Sequence, residues 1–429
     1  MKTKIPFFTF LILNLQFSIL NCLAQSPTDL PTTNNIYAEG IHSVKLTLQG
    51  MDFGLPIIQL NSAEKLVLSF DDLLQQDRFL KYTLVHCSHD WQYSSLNPIE
   101  YLDGFTEDLI NDYSFAFNTI VPYTQYRLVF PTEDMRITKS GNYLLVVYDD
   151  DISDPVLTRR LMVVDAPQAG LKGTVSWAQD ITFRSTKQQV DFTAYTGSYT
   201  IRNPAMYLHA TIVQNGRWDN AIQNLKYRTA RPGEYGFNFD NLNTNTFNGV
   251  NEYRTFDIRT LRSTADRITS INFNNRINQA YVMEDLARPW GAYVTNTTLK
   301  GHCIYANHDG NSSPDYVLVH FTLRCDFPVG EGDLYVFGGL TDWRIDPKAK
   351  LTFNPENNYW ETNFFCKQGY YNYIYVFVPK GSNTADDTYI EGSHWQTPNN
   401  YTILLYLQEE GTSYDKLIGT TTISINANE

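Results

Sequence analysis

The sequence has few cysteines and few basic residues. Its 429 residues include 5 cysteines, far below the density of a disulfide-stabilised scaffold. The 33 lysines and arginines are outnumbered by 46 aspartates and glutamates, which gives a formal net charge of −13. Because it lacks a basic cluster, the chain does not fit a nucleic-acid-binding protein or a ligand of anionic membranes. These absences leave an acidic globular protein whose stability depends on its hydrophobic cores.

Glycine and proline are not abundant either. With 24 glycines and 18 prolines, a collagen-like or linker-dominated chain is excluded. In contrast, 42% of the residues are hydrophobic and 14% are Phe, Trp or Tyr. At roughly 150 residues per domain, the length is sufficient for about three domains.

The first residues have the pattern of a secretory signal peptide. Two lysines precede residues 5–20, an uncharged stretch that is shorter than the ~20 residues of a membrane-spanning helix. The small residues Cys22 and Ala24 follow, so we expect residues 1–24 to be removed and the mature protein to act outside the cytoplasm. Two alternatives stay open: a membrane anchor formed by the same residues, and a lipoprotein acylated at Cys22.

Short β-type segments dominate the rest of the chain. Segments such as 65–73 and 79–88 alternate apolar with polar residues, and clusters of Gly, Pro, Asn and Asp separate them. This spacing is typical of β-sandwiches and not of βαβ units. The sequence therefore predicts an all-β fold of tandem immunoglobulin-like β-sandwich domains.

Breaks in this pattern divide the chain into three predicted domains. The first covers residues 35–165 and ends at a linker-like segment, 166–170, which contains Pro and Gly. A middle β domain is predicted over 171–305. A C-terminal β-sandwich is predicted over 314–429, and we expect it to include the strand-like segment 400–410.

Four cysteines lie beyond the predicted signal peptide, and they allow three pairings. Cys325 and Cys366 each lie in a strand-like segment, so a disulfide between neighbouring strands is one possibility in an oxidising compartment. Buried free thiols are an equally good interpretation, because free cysteine packs as a small hydrophobic residue.

The common enzyme motifs are absent. The sequence has no nucleophile elbow, phosphate-binding loop, dinucleotide-binding glycine motif, HExxH or CxxC. His86 and Cys87 would point to opposite faces of a strand, so they make a poor zinc site with His89. We therefore predict no catalytic residue, no metal site and no cofactor.

The predicted C-terminal domain contains a pattern similar to starch- and glycogen-binding modules. Residues 336–343 read VFGGLTDW, and a Trp-bearing strand and the Tyr-rich segment 370–378 follow. The resemblance implies that this last domain is a starch-binding-type sandwich. Tryptophan faces can stack on sugar rings, so Trp343, Trp360 and Trp395 are candidate glycan-binding residues. We favour packing roles for them, because a shared fold does not transfer function.

Three sequence segments of the first domain carry a closer resemblance to a known family. They are IYAEGIHSVKLTLQGMDFGLPIIQL at 36–60, YTLVHCSHDWQYSSLNPIEYLDGF at 82–105 and YRLVFPTEDMRITKSGNYLLVVYDDD at 126–151. They resemble the plug proteins of the type IX secretion system of Bacteroidota, formerly a family known only as a domain of unknown function. The segments 251–262 and 285–293 agree with that resemblance.

The resemblance implies a non-enzymatic protein in the periplasm, at the inner face of the outer membrane. Such a plug caps the periplasmic end of the translocon barrel of the type IX secretion system and limits leakage. The implied partner is this barrel, without nucleic acid, membrane insertion or a small-molecule ligand. The family offers no residue motif for the contact face. The alternative function is that of a periplasmic or secreted carbohydrate-binding protein.

Overall fold

A computed structural model describes residues 30–75, 78–165, 169–197, 199, 201–238 and 242–425. The predicted signal peptide and residues 166–168 of the predicted linker lie outside the described residues. The α-helices in the described part are single turns, Pro98–Tyr101 (α1) and Pro204–Tyr207 (α2), and neither is long or apolar enough to cross a membrane. The predicted all-β fold of tandem sandwiches is confirmed.

The strands are numbered in chain order. The strands before residue 165 are Asn35–Ile36 (β1), Ile41–Leu48 (β2), Ile57–Gln59 (β3), Leu66–Asp72 (β4), Lys81–Cys87 (β5), Leu102–Gly104 (β6), Glu107–Leu109 (β7), Asp112–Phe115 (β8), Thr124–Phe130 (β9), Met135–Ile137 (β10), Gly141–Tyr148 (β11) and Pro155–Val164 (β12). The strands from 170 to 286 are Gly170–Trp177 (β13), Lys187–Tyr195 (β14), Leu208–Gln214 (β15), Ile222–Leu225 (β16), Thr229–Arg231 (β17), Glu234–Phe237 (β18), Thr246–Asn248 (β19), Arg254–Asp257 (β20), Ile268–Asn272 (β21), Asn278–Val282 (β22) and Asp285–Leu286 (β23). The strands from 303 onward are Cys303–Tyr305 (β24), Tyr316–Arg324 (β25), Gly332–Phe337 (β26), Thr352–Asn354 (β27), Tyr359–Lys367 (β28), Gly369–Pro379 (β29), Asn400–Leu407 (β30) and Lys416–Ser424 (β31). Two 3₁₀ turns, Gly339–Thr341 and Pro347–Ala349, follow β26.

The largest sheet has ten strands and runs through two sandwiches. Its order is β16-β15-β30-β31-β12-β11-β5-β7, and β1 and β3 also pair with β12. The two halves meet where β12 lies parallel to β31, with Val164 opposite Leu417. The amide of Asp165 donates to the carbonyl of Leu417 at 2.8 Å. One continuous sheet therefore connects the first sandwich to the second.

The first sandwich forms because two alternating faces pack against each other. Its second sheet, β2-β4-β9-β8, shares a core with β12, β11 and β5 of the ten-stranded sheet. Alternation along β4 buries Leu66, Leu68 and Phe70 to 1% exposure or less, as the sequence predicts. Tyr82 and Leu84 of β5 face the same core.

The second and third sandwiches have separate cores. In the second, β13, β14, β17, β18 and β19 form a sheet that packs on β15, β30 and β31. In the third, the six-stranded sheet around β22, β25 and β28 packs on the sheet around β29. Tyr371, Tyr373 and Tyr375 of β29 are buried in the third core, so the Tyr-rich segment is a packing strand.

Strand pairing crosses the predicted boundary between 171–305 and 314–429 in both directions. The segment 400–410, expected in the C-terminal domain, forms β30 and pairs with β15 of the middle segment. Conversely, β20 and β22 of the middle segment pair with β29 and β25. This exchange of strands has a simple cause: alternation marks a strand but does not specify its partner, which can lie far away in the sequence.

Candidate functional site

A buried ion pair joins the first sandwich to the third. Lys367 Nζ lies 2.6 Å from Asp71 Oδ2, and both side chains are at most 3% exposed. The hydroxyl of Tyr316 donates to the same oxygen at 2.6 Å. Burial raises the pKa of Asp71 and lowers the pKa of Lys367, so desolvation acts against both charges. The pair therefore bridges the two sandwiches, and loss of either partner would leave the other as an uncompensated buried charge.

The loop after β8 is also fixed by the third sandwich. The carboxylate of Asp315 accepts the N–H of Ile120 at 2.6 Å and that of Val121 at 3.0 Å. Phe117 and Ser313 exchange two hydrogen bonds of 3.0 Å, one through each backbone N–H. These contacts hold the end of the first sandwich in one position.

A charge cluster lies inside the third sandwich. Arg254 lies 2.8 Å from Asp285 and 2.9 Å from Glu391, and both carboxylates are fully buried. Burial disfavours the charge on Glu391, but Arg254 and Arg288 outweigh it and lower its pKa to about 2. The hydroxyl of Tyr373 donates to Asp285 at 2.6 Å. Because Arg254 lies in the sheet of β29 and Asp285 in the sheet of β25, the cluster links the two sheets of the third sandwich.

A stacked histidine pair lies between the first and second sandwiches. The rings of His89 and His209 are 3.6 Å apart and nearly parallel, and His89 Nδ1 lies 2.9 Å from Asp415. His89 Nε2 lies 2.7 Å from the side-chain oxygen of Asn224. Burial opposes a charge on His89, yet the hydrogen bond and the charge of Asp415 raise its pKa. Burial and the neighbouring His89 lower the pKa of His209 to about 4.

This cluster has the residue types of a metal site but not the geometry. His89, His209 and Asp415 are the three groups within reach of one ion among the described residues. A metal bound by two imidazoles has to lie in the plane of both rings, which parallel planes 3.6 Å apart do not permit. Both nitrogens of His89 are also engaged. The cluster is therefore a junction between sandwiches.

The structure does not bring the three candidate tryptophans together. Trp343 follows a 3₁₀ turn, where the guanidinium carbon of Arg217 lies 5.0 Å from its ring centre. Trp395 packs edge-on against Trp177, with 5.2 Å between ring centroids. Trp360 lies on β28 beside a separate cavity. The three residues thus form no shared platform for a sugar chain.

The structure does not bring Cys325 and Cys366 together, and all four described cysteines are free thiols. Strands β25 and β28 are neighbours, but their register places Cys366 opposite Val317. Val317 and Cys325 are separated by about 26 Å, at ~3.3 Å per residue for eight residues. A disulfide needs Cα atoms within about 7 Å. Cys366 instead packs with Cys303 in the third core.

Trp360 lines an open cavity of about 450 Å³ at the surface of the third sandwich. Phe327 and Phe353 contribute aromatic surface, and Asp326 and Asn358 contribute polar groups. The ring of Phe353 lies 5.3 Å from that of Trp360 in a tilted arrangement. Of the three candidate tryptophans, Trp360 has the surroundings closest to those of a sugar-binding residue.

Two edge strands lie next to each other in sequence at one side of the first sandwich. Strand β7 ends the ten-stranded sheet, and β8 ends the sheet β2-β4-β9-β8. Within the described residues, β9 is the one strand that pairs with β8. All four residues of β8 are exposed. We call residues 105–120 together with Phe79 the open edge.

The open edge carries large apolar side chains in contact with solvent. Phe79 is 79% exposed, Phe115 70% and Phe117 68%. Its other exposed apolar residues are Phe105, Leu109, Tyr113 and Ile120. Exposed apolar surface of this extent usually marks an interaction site, and aromatic residues are enriched among the energetically important residues of interfaces.

Sequence reasoning missed both the open edge and the histidine junction. The segment 105–120 contains the aromatic residues, but a strand that is half-buried and one that ends a sheet have the same local pattern. His89 and Asp415 are 326 positions apart, so their contact leaves no local signal. The aromatic residues at 113–117, which read YSFAF, were the one local signal that could have indicated an interaction surface.

The fold and the open edge define an all-β protein of fused sandwiches with exposed apolar side chains along one sheet edge. Residues 41–165 match the family described as "Type 9 secretion system plug protein 1st domain". A hypothetical protein of known structure from Parabacteroides merdae ATCC 43184 is 32% identical, with a TM-score of 0.87. The match covers 92% of this chain and 100% of that chain. This chain therefore belongs to the type 9 secretion system plug protein family, a component of type IX secretion in the cell envelope.

Two further solved structures have much lower similarity. The polymeric Ig receptor ectodomain of a teleost fish is 9% identical with a TM-score of 0.14, covering 46% of this chain and 87% of that chain. The C-terminal domain of the Streptococcus pyogenes antigen I/II-family protein AspA is 8% identical with a TM-score of 0.17, covering 89% and 99%. At TM-scores this low, neither structure bears on the fold or function of this chain. No curated protein matches the chain.

Proposed function

We propose that this protein is a non-catalytic periplasmic plug that caps the periplasmic end of the translocon barrel and limits leakage. The observation that carries the proposal is the fusion of the sandwiches through one continuous sheet and buried polar contacts. A cap over a wide aqueous pore has to resist bending, because small molecules pass through any gap at its rim. Domains on flexible linkers move relative to one another and would open such gaps.

Three further observations support this proposal. The plug-family match falls on the first sandwich, which also carries the open edge. The sequence of residues 1–24 predicts export from the cytoplasm. Within each buried cluster the positive and negative side chains pair with one another, and these clusters connect different sheets.

Affinity capture tests the partner. The tagged full-length protein, incubated with outer-membrane extract in mild detergent, is expected to recover the translocon barrel of the same type IX system, identified by mass spectrometry. A tagged periplasmic protein of similar size and charge is the control. Failure to recover the barrel, in an extract where its other partners still co-purify, would contradict the plug proposal.

Deletion of the gene supplies the matching test in the cell. Without the cap, an idle barrel is expected to leak, so uptake of an antibiotic that the outer membrane normally excludes rises while secretion continues. Complementation with the wild-type gene restores exclusion. Uptake that is the same with and without the gene would argue against a sealing role.

A second candidate function is carbohydrate binding at the cavity beside Trp360. The favouring observation is that aromatic and polar groups meet there in an open cavity of about 450 Å³. If this function holds, titration with a soluble α-glucan quenches tryptophan fluorescence, and Trp360→Ala abolishes the change. Trp395→Ala, which removes a ring packed on Trp177, is the control and should retain it. Wild-type fluorescence that does not respond to the glucan excludes this candidate.

A further inference from the structure

We infer that the open edge is a docking site for an extended protein segment, which adds as a new strand to β8 and carries basic side chains among apolar ones. That the segment belongs to the translocon barrel rests on the proposed function. The mode of docking and the chemistry of the segment rest on the backbone, the side chains and the charges described next.

The backbone of β8 leaves hydrogen-bonding groups free for a new strand. In the β8–β9 ladder, the N–H of Ala116 donates to the carbonyl of Tyr123 at 2.9 Å. Since facing pairs alternate in an antiparallel ladder, Asp112 and Ser114 direct their backbone groups toward β9. Tyr113 and Phe115 therefore direct their N–H and C=O groups away from it. An added strand would satisfy these groups, as in β-augmentation.

The edge is held rigid before any partner binds. Asp315 and Ser313 of the third sandwich fix the loop at residues 117–121 by backbone hydrogen bonds. The other side of β8 is paired along its whole length with β9. Because the strand is already extended and fixed, little of the binding free energy is lost in ordering the site.

The side chains of β8 offer an apolar surface next to the free backbone. Side chains two residues apart share one face of a strand, so Tyr113 and Phe115 lie together, with ring centroids 6.1 Å apart. Tyr113 also contacts Tyr126 of β9 at 5.9 Å. An incoming strand would place its own apolar side chains across from this row.

The rim of the open edge is acidic. The segment 99–120 holds no lysine or arginine, and its acidic residues are Glu100, Asp103, Glu107, Asp108 and Asp112. The basic residues Lys81, Arg127 and Arg136 on neighbouring strands pair with Glu107, Asp112 and Asp103. The carboxylate of Asp149 adds negative charge beside Phe79, whose N–H it accepts at 3.2 Å.

The negative charge of the rim favours one class of binding partner over the others. A second copy of the chain would bring one acidic rim against another, and charged residues on an edge strand normally prevent such self-association. An anionic membrane surface would be repelled in the same way. A segment with lysine or arginine between apolar residues is attracted by the rim and fills the aromatic row.

Proline scanning of β8 tests the strand addition. Phe115→Pro removes an outward N–H but leaves the hydrogen bonds to β9 in place, since edge strands tolerate proline at such positions. We expect it to lower capture of the barrel at least tenfold, and Phe115→Ala to lower it about threefold. Phe273→Ala, which removes another exposed aromatic ring (69% exposed) beyond a different edge strand, is the control and should capture as the wild type does. Thermal unfolding checks that all variants are folded.

The outcomes separate the docking site from the plug function. If the wild type captures the barrel and Phe115→Pro captures it equally, the docking inference is overturned and the plug proposal stands. If the wild type captures no barrel, the plug proposal fails. Strand addition at the open edge is then tested with a synthetic ten-residue peptide of alternating lysine and valine. Hydrogen–deuterium exchange that slows at the amides of Tyr113 and Phe115 supports the site, and unchanged exchange overturns it.

A charge reversal tests the chemistry of the segment. Asp108→Lys is expected to weaken binding of the lysine–valine peptide at least fivefold and to reduce its dependence on salt. A glutamate–valine peptide of the same length should not bind the wild type. Equal binding of both peptides, edge-dependent dimers in sedimentation, or stronger binding to phosphatidylglycerol vesicles than to the basic peptide would each overturn the assignment of a basic segment.

Discussion

Replacement of Lys367 by methionine is expected to lower the free energy of unfolding by about 3–5 kcal/mol. The substitution leaves the carboxylate of Asp71 buried without its cation, with Tyr316 as one remaining donor. Urea unfolding of the wild type and the variant measures the change in the free energy of unfolding. Lys380→Met is the matched control, because its ion pair with Glu331 is about four-fifths exposed and should contribute no more than ~1 kcal/mol.

A second substitution shows whether the stranded charge is the cause. Adding Asp71→Asn to Lys367→Met removes the uncompensated carboxylate, so the double variant is expected to regain much of the lost stability. A single variant that loses under 1 kcal/mol would show that the pair does not control the docking of the first and third sandwiches. Additive losses in the double variant would instead assign the effect to packing.

Acidification is expected to produce the second large effect. Burial lowers the pKa of His86 and of His302 to about 4, while the ordinary value is 6.5. Between pH 6.5 and 4 the unfolded chain therefore binds protons that the folded chain does not, and stability falls as the pH falls. Each histidine lowers the free energy of unfolding by ~1.4 kcal/mol per pH unit in this window, so these two contribute a slope of ~2.8 kcal/mol per pH unit. His42 and His209, whose pKa burial also lowers to about 4, add to the slope in the same direction.

Urea unfolding at a series of pH values measures this slope. His89 has a raised pKa, so its contribution is complete below about pH 6.5 and is lost at higher pH; it does not offset the fall. His86→Gln is expected to reduce the slope by the contribution of one proton, whatever it does to stability at neutral pH. A stability that stays flat from pH 6.5 to 4.5 would contradict the burial of both histidines as neutral groups.

Local pattern was sufficient to predict the strands. Alternation at 65–73 and 79–88 predicts β4 and β5, and both are present with their apolar faces buried. The opposite directions of His86 and Cys87 were also predictable, because side chains alternate along a strand. His86 packs against Tyr143, and Cys87 lies in a different core.

The pairing of those strands was not predictable from the same pattern. Strand β30 joins β15 across 187 residues of sequence, counted from Gln214 to Tyr401, and Cys325 lies far from Cys366 although their strands are neighbours. Both facts depend on partner and register, which are set by long-range packing and by the order in which sheets stack. A predicted strand therefore specifies neither the sandwich that it joins nor the residues that lie opposite it.

The sequence by itself determined the all-β class and the family resemblance and predicts an exported address, because period-two alternation, a leader pattern and family-like segments are local properties of the chain. The tertiary structure alone decided that the sandwiches share one sheet, that buried charges join them, and that β8 is left as an edge. The physical reason is that burial, charge pairing and a free sheet edge exist only between segments that are distant in sequence and adjacent in space.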